Sequence, residues 1–144
     1  MAEKDMPILD KLGVDIGYKT VHVKTVTEAD IAHFATVSGD FNPLYMSEEY
    51  ASKTFFRGRI AHGSLTQALL SAAMAKLPGM VVFLSQSIRF LKPLRIGDTI
   101  TATAEVIAAR KERGIVTLKN SCTNQEGETV AEGEATCRLY EPPP

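Results

Sequence analysis

The sequence predicts an α+β domain, in which an antiparallel sheet of about five strands wraps one long buried helix at about residues 64–77. Two observations carry that reading. The stretch "HGSLTQALLSAAMAKLPG" places Leu65, Ala68, Leu69, Leu70, Ala72, Ala73, Met74 and Leu77 around nearly the whole helix circumference. A helix apolar on almost every side is buried on almost every side. Four segments rich in Val, Ile, Thr and Phe follow it, separated by turn residues at "RIGD", "ERG" and "QEGE", and links this short imply antiparallel neighbours. At 144 residues the chain has room for a single core.

Taken in order, residues 1–10 read as a loose lead-in, and "YKTVHVKTV" at 18–26 alternates as a strand does. "TEADIAHFATVSG" reads as a helix with Thr27 as its cap and Gly39 as its stop. Asp30 stands three residues after the cap, where a capping box carries Glu or Gln. "FNPLYMS" is turn-like, and Ser47 with Glu48 and Glu49 opens a short helix to about Ser52. The central helix takes Ser64 as its cap and ends at "LPG". The four strands are read in "MVVFLSQSIRFLKPL", "DTITATAEVIAARKE", "GIVTLKNSCTNQ" and "ETVAEGEATCRLY". The closing residues, 141–144, cannot continue a sheet and read as frayed.

Composition excludes several function classes. A hydrophobic share of 44% with 23% charged residues is that of a soluble globular chain. A net charge of −1 gives no general attraction to nucleic acid or to an anionic membrane. No apolar run approaches the roughly 20 residues that span a bilayer, and the charged N-terminus lacks a secretory core, so a cytoplasmic protein is expected. Cys122 and Cys137 read as buried thiols of a reducing compartment. His22, His33 and His62 show no metal-ligand spacing, so no metal and no cofactor are expected. Charge is nonetheless uneven. From Lys53 to Gly97 there are seven basic residues and no acidic one, which fits an anionic ligand as well as it fits a solvated basic surface.

Two segments offer chemistry. The start of the central helix, at "HGS", presents unpaired backbone N–H groups reinforced by the helix dipole. Gly63 lets a ligand approach that backbone, because no Cβ intervenes. A carbonyl oxygen gaining negative charge would be stabilised there, as in an oxyanion hole. The second segment is "SGDFNPLY", with Asp40, Asn42 and Tyr45. Spacing alone leaves a plainer reading open for each: "HGS" as a turn and cap, and Asp40 and Asn42 as residues that bond their own local backbone.

"SGDFNPLY", "GRIAHGS" and "FLKPLRIGDTI", in that order and over roughly residues 20 to 139, resemble the MaoC-like (R)-specific enoyl-CoA hydratases and dehydratases, which have the hot-dog fold. The resemblance implies lyase chemistry of fatty acid metabolism, acting on acyl thioesters of coenzyme A or acyl carrier protein. It also implies a homodimer or dimer-based oligomer with the active site near the subunit interface. By the resemblance Asp40 is the catalytic carboxylate, Asn42 orients it and its partner, Gly63 N–H polarises the thioester carbonyl, and Ser71 supports the site. Arg57, Arg59 and His62, with Phe41, Leu44 and Phe83, are candidate substrate contacts, and Phe55, Phe56 and Leu69 are further candidate walls. The apolar ones read equally as ordinary core, and His62 reads as a substitute base or, more simply, as a structural hydrogen bond beside the helix start.

The pattern departs from the family at Tyr45, where the family has the catalytic His. Imidazole has a pKa near 6.5 and a phenol one near 10, so Tyr45 can donate a hydrogen bond or a proton but is a poor base. Three readings stay open. Asp40 acts as the base of a hydratase or dehydratase, with Tyr45 orienting water or serving as acid. Alternatively Asp40 activates water against the thioester carbonyl, as in hot-dog thioesterases. In the third, the chain binds acyl thioesters with little catalysis.

Overall fold

Helix α5, Ser64–Met74, organises the molecule, and the computed structural model describes residues 2–144 around it. Leu69, Leu70, Ala73 and Met74 are buried from α5. The small residues Ser64, Ala68, Ser71 and Ala75 are exposed, spaced so that they share one outward face. Burial is therefore incomplete on that face. The helix also stops at Met74, and the expected last turn to Leu77 is irregular.

Five antiparallel strands form the sheet, β1 (Lys19–Thr25), β2 (Met80–Phe90), β3 (Thr99–Arg110), β4 (Ile115–Thr123) and β5 (Thr129–Tyr140). Their order is β1-β3-β4-β5-β2. Alternation predicts strands of this kind, and β3 and β4 bury every second residue, Ile100, Ala102, Ala104 and Val106 facing Val116, Leu118, Asn120 and Cys122 on one side. The links β3–β4 and β4–β5 are hairpins, as expected. The link through "RIGD" is not. Strand β2 lies at one edge beside β5, and β3 lies beside β1, so residues 91–98 cross the mouth of the fold instead of turning back. This crossover is fixed near α5 by the Ala61–Leu94 bridge, where Ala61 N–H donates to Leu94 C=O at 2.5 Å.

The N-terminal reading is corrected as well. Residues Ile8–Leu12 form a short helix, α1, ended by Gly13 in the left-handed region at φ 72°. Leu9 is fully buried, and its N–H donates to Lys111 C=O at 3.3 Å. Helix α2, Glu28–Ser38, begins in a complete capping box. Thr27 Oγ1 accepts from Asp30 N–H, and an Asp30 carboxylate oxygen accepts from Thr27 N–H. The turn-like "FNPLYMS" contains one helical turn, α3 (Pro43–Met46), and α4 (Glu48–Ser52) follows with the Ser47 hydroxyl as its cap. Cys122 and Cys137 are free and buried, and burial pushes their thiols up to about 12 and about 11. No helix among the described residues is long and apolar enough to cross a membrane.

Candidate active site

Gly39, at φ 79°, ends α2 in the left-handed conformation that favours glycine and turns the chain out at Asp40. Asp40 N–H donates to Ser38 Oγ at 3.1 Å, and Asp40 Oδ1 accepts from Asn42 N–H at 3.2 Å. The Asn42 side-chain oxygen accepts from Leu44 N–H at 3.0 Å and caps α3, with Pro43 at its first position. The resemblance gives Asn42 the task of orienting a catalytic pair. Here its carbonyl shapes the turn that presents Tyr45. Asp40 is exposed.

Tyr45 is half-buried and packs against the His62 ring, with centroids 4.2 Å apart. Burial, and secondarily the charge of Asp40, holds its hydroxyl above the usual phenol range. Tyr45 and Gly63 line the same cavity, of about 370 Å³, whose far wall is Phe90 and the crossover residues Leu91 to Leu94. Gly63 occupies the cap position of α5 in ordinary helical geometry, and no side chain caps the helix. Ser64, read as the cap, is the first helical residue and exposed. Among the described residues neither Gly63 N–H nor Ser64 N–H has an acceptor. The helix start thus keeps its donors free beside the cavity.

Arg95 braces the two cavity walls. Its guanidinium reaches from the crossover and donates to Phe56 C=O at 2.6 Å and Arg59 C=O at 3.3 Å. Reading by segment missed Phe90, Lys92 and Arg95 as wall and brace. "FLKPLRIGD" holds all three, but only the crossover topology turns it toward Gly63.

Other expected residues lie elsewhere. Ser71, two helical turns beyond Gly63, lines a separate cavity of about 220 Å³ with Met74, Val81, Phe83 and Cys137. Within one protomer the structure does not bring Ser71 or Phe83 to Tyr45. Phe41 is exposed, Leu44 half-buried, and Phe55 turns outward at 87% exposure while Phe56 lines the site cavity. Leu69 lines a third cleft, between α2 and α5. Neither Arg59 nor His62 lines the cavity that Tyr45 and Gly63 share. The Arg59 guanidinium is engaged by Glu28 and Tyr45 C=O, and His62 is 1% exposed. Arg57 is exposed in the left-handed region at φ 59°.

The basic middle segment is mostly neutralised. Lys53, Arg59, Arg89 and Lys92 pair with Glu49, Glu28, Glu132 and Glu128. Lys76 and Arg95 donate to main-chain carbonyls. Among the described residues Arg57 alone of the seven has no such partner. Four of the seven basic residues thus have an acidic partner, which favours a solvated surface over an anionic-ligand face, the two readings the sequence left open. No group of three or more His, Cys, Asp or Glu among the described residues is placed to hold a metal ion.

A five-stranded antiparallel sheet wrapped on one helix, with free donors at the helix start, defines a hot-dog domain. The family model described as "MaoC like domain" matches residues 13–126, and the chain belongs to that family. It is 45% identical over 115 residues to an (R)-specific enoyl-CoA hydratase of Rhodospirillum rubrum, covering 78% of this chain and 79% of that one. It is 36% identical over 128 residues to a 3-hydroxybutyryl-CoA dehydratase of Methylorubrum extorquens, covering 88% and 81%. The unliganded R-hydratase PhaJ1 of Pseudomonas aeruginosa superposes with a TM-score of 0.84 at 35% identity, covering 94% and 88%.

Proposed function

We propose that the protein is an enoyl-thioester hydratase or 3-hydroxyacyl-thioester dehydratase of (R) specificity, with Asp40 as base and Gly63 N–H as the oxyanion donor. One observation carries this reading: Tyr45 and the uncapped Gly63 share one cavity, and Asp40 is tied by its main chain to the residue before Gly63. The enzyme class is that of the relatives, whose names include both directions of the reaction. In the hydration direction Asp40 takes a proton from water as the water oxygen bonds C3 of the trans-2-enoyl thioester. The displaced electron pair moves to the thioester oxygen, which Gly63 N–H stabilises. As the enolate collapses, C2 takes up the proton held by Asp40, directly or relayed through the Tyr45 hydroxyl, which receives the Asp40 proton as it gives its own, and the (R)-3-hydroxyacyl thioester is formed. Dehydration is the reverse.

Tyr45 supplies a hydrogen bond or an acid in this scheme. Replacing a matched general base costs typically 10²–10⁴ in rate, so a slow hydratase is the expected result. The substrate is a thioester of coenzyme A or of acyl carrier protein, with Arg57 as the free cation near the Phe56 wall. The active unit is a dimer formed along β2, an edge strand that exposes Met80, Val82, Phe83 and Leu84. Such an edge needs a partner strand.

The test is crotonyl-CoA hydration by the parent, Asp40→Asn and Tyr45→His, with product chirality and free thiol measured together. The parent is expected to form (R)-3-hydroxybutyryl-CoA, Asp40→Asn to abolish it, and Tyr45→His to accelerate it. Release of thiol without hydration would replace this reading with thioester hydrolysis. Inertness of both the parent and Tyr45→His would leave a binding subunit.

A further inference from the structure

Two side chains of "RIAHG" at 59–63, the five residues that end at the proposed oxyanion donor, hydrogen-bond the main-chain carbonyls of Tyr45 and Asp40 in the other segment. Arg59 Nε–H donates to Tyr45 C=O at 2.6 Å. Its two terminal nitrogens donate to both oxygens of Glu28, at 2.9 and 2.8 Å, in the planar fork that suits a carboxylate. Arg59 N–H donates to Glu48 at 3.2 Å. One guanidinium thereby joins the start of α2, the main chain at Tyr45 and the approach to α5. Its side chain is 15% exposed, and the contact with it lowers the Glu28 carboxyl below its usual range.

His62 does the same for Asp40. Its Nε2 lies 2.9 Å from Asp40 C=O. A carbonyl only accepts, so Nε2 carries the hydrogen and donates it. The ring is 1% exposed, between Phe34 and Tyr45, with centroids 4.9 and 4.2 Å away. Nδ1 is buried without a partner. A proton there would have no acceptor, and water does not reach its lone pair. The ring is placed to hold its neighbours, with its one hydrogen bond spent on Asp40 C=O.

We propose that Arg59 and His62 are positioning residues, which hold Tyr45 and Asp40 by their carbonyl oxygens and set both at a fixed relation to Gly63 N–H. The inference rests on the hydration reading of the same site. The hydrogen bonds of this grip are made to backbone carbonyls, and the Tyr45 ring adds packing against His62. A catalytic group misplaced by about 1 Å can cost roughly 10² in rate, and this is the loss the two contacts prevent.

The test compares His62→Leu, His62→Gln, Arg59→Leu and Arg59→Lys in crotonyl-CoA hydration, each with its melting temperature. His62→Leu and Arg59→Leu are expected to lower kcat up to about 10²-fold with KM within about twofold. His62→Gln keeps an N–H donor and is expected to regain most of the loss, and Arg59→Lys part of it. Unchanged kcat in folded His62→Leu would overturn the proposal, as would folded His62→Gln falling as far as His62→Leu. A readout independent of activity accompanies them: ¹⁵N resonances of the His62 ring in the parent. Hydrogen on Nε2 and a bare Nδ1 are expected in the neutral ring, and the opposite tautomer would overturn the proposal even in a folded, active protein. An inert parent with the expected tautomer would sink the hydration reading while leaving the His62–Asp40 grip in place.

Discussion

Gly63→Ala separates the chemistry of the helix start from its folding. Gly63 sits at φ −57° and ψ −35°, which any L-residue adopts, so alanine brings no backbone strain. Its Cβ would meet the Phe90 ring at 3.2, 3.3 and 3.5 Å, a few tenths of an ångström tighter than ordinary contact. Phe90 is 53% exposed and free to yield by that amount. Alanine also gains about 0.4–1 kcal/mol from a less flexible unfolded chain, which offsets much of the crowding. The net change in stability is expected within about 1 kcal/mol, or roughly 2–4 °C in Tm for a domain of this size. The methyl group nonetheless stands in the cavity wall where a thioester oxygen must reach the amide. Loss of one oxyanion donor costs about 10²–10³ in kcat. A folded Gly63→Ala protein with Tm nearly unchanged and crotonyl-CoA hydration reduced by that factor is the expected result. Activity within threefold of the parent, at unchanged Tm, would refute Gly63 N–H as the donor.

Two further outcomes follow from the same geometry. Of the four tyrosines, Tyr45 should ionise above the ordinary phenol value in ultraviolet titration, and Asp40→Asn should bring that step partly back down. The folded chain keeps a proton that the unfolded chain releases. The associated stability is complete below the ordinary phenol value and is lost as pH rises through the raised one, so Tyr45→Phe should flatten the alkaline decline in melting temperature. On the exposed edge of β2, Leu84→Lys should shift sedimentation from dimer to monomer and reduce hydration with it. A monomeric parent of full activity would remove the dimer from the reading.

Much of the fold is local and was legible. The capping box of α2 needs only Thr27 and Asp30, and alternation alone marks β3 and β4. Apolarity marked α5 but overstated its burial, because Ala68 counts as apolar while being small enough to sit on an outward face. What stayed hidden is non-local. Leu9 gains its meaning from Lys111, Arg59 from Glu28, and "RIGD" from a sheet order no short link reveals. At the candidate site the Asn42 carbonyl bonds the local backbone, one of the readings its spacing left open, and His62 makes the structural hydrogen bond weighed for it beside the helix start. The Arg59 partners, Glu28 and Tyr45 C=O, lie too far off in sequence to be read from its own segment.

The Arg95 guanidinium also limits how far the slot can give. Two main-chain carbonyls on one wall are tied to a side chain from the other, so widening the slot would cost both hydrogen bonds. A ligand would have to fit the present spacing of Phe56, Phe90 and Leu94.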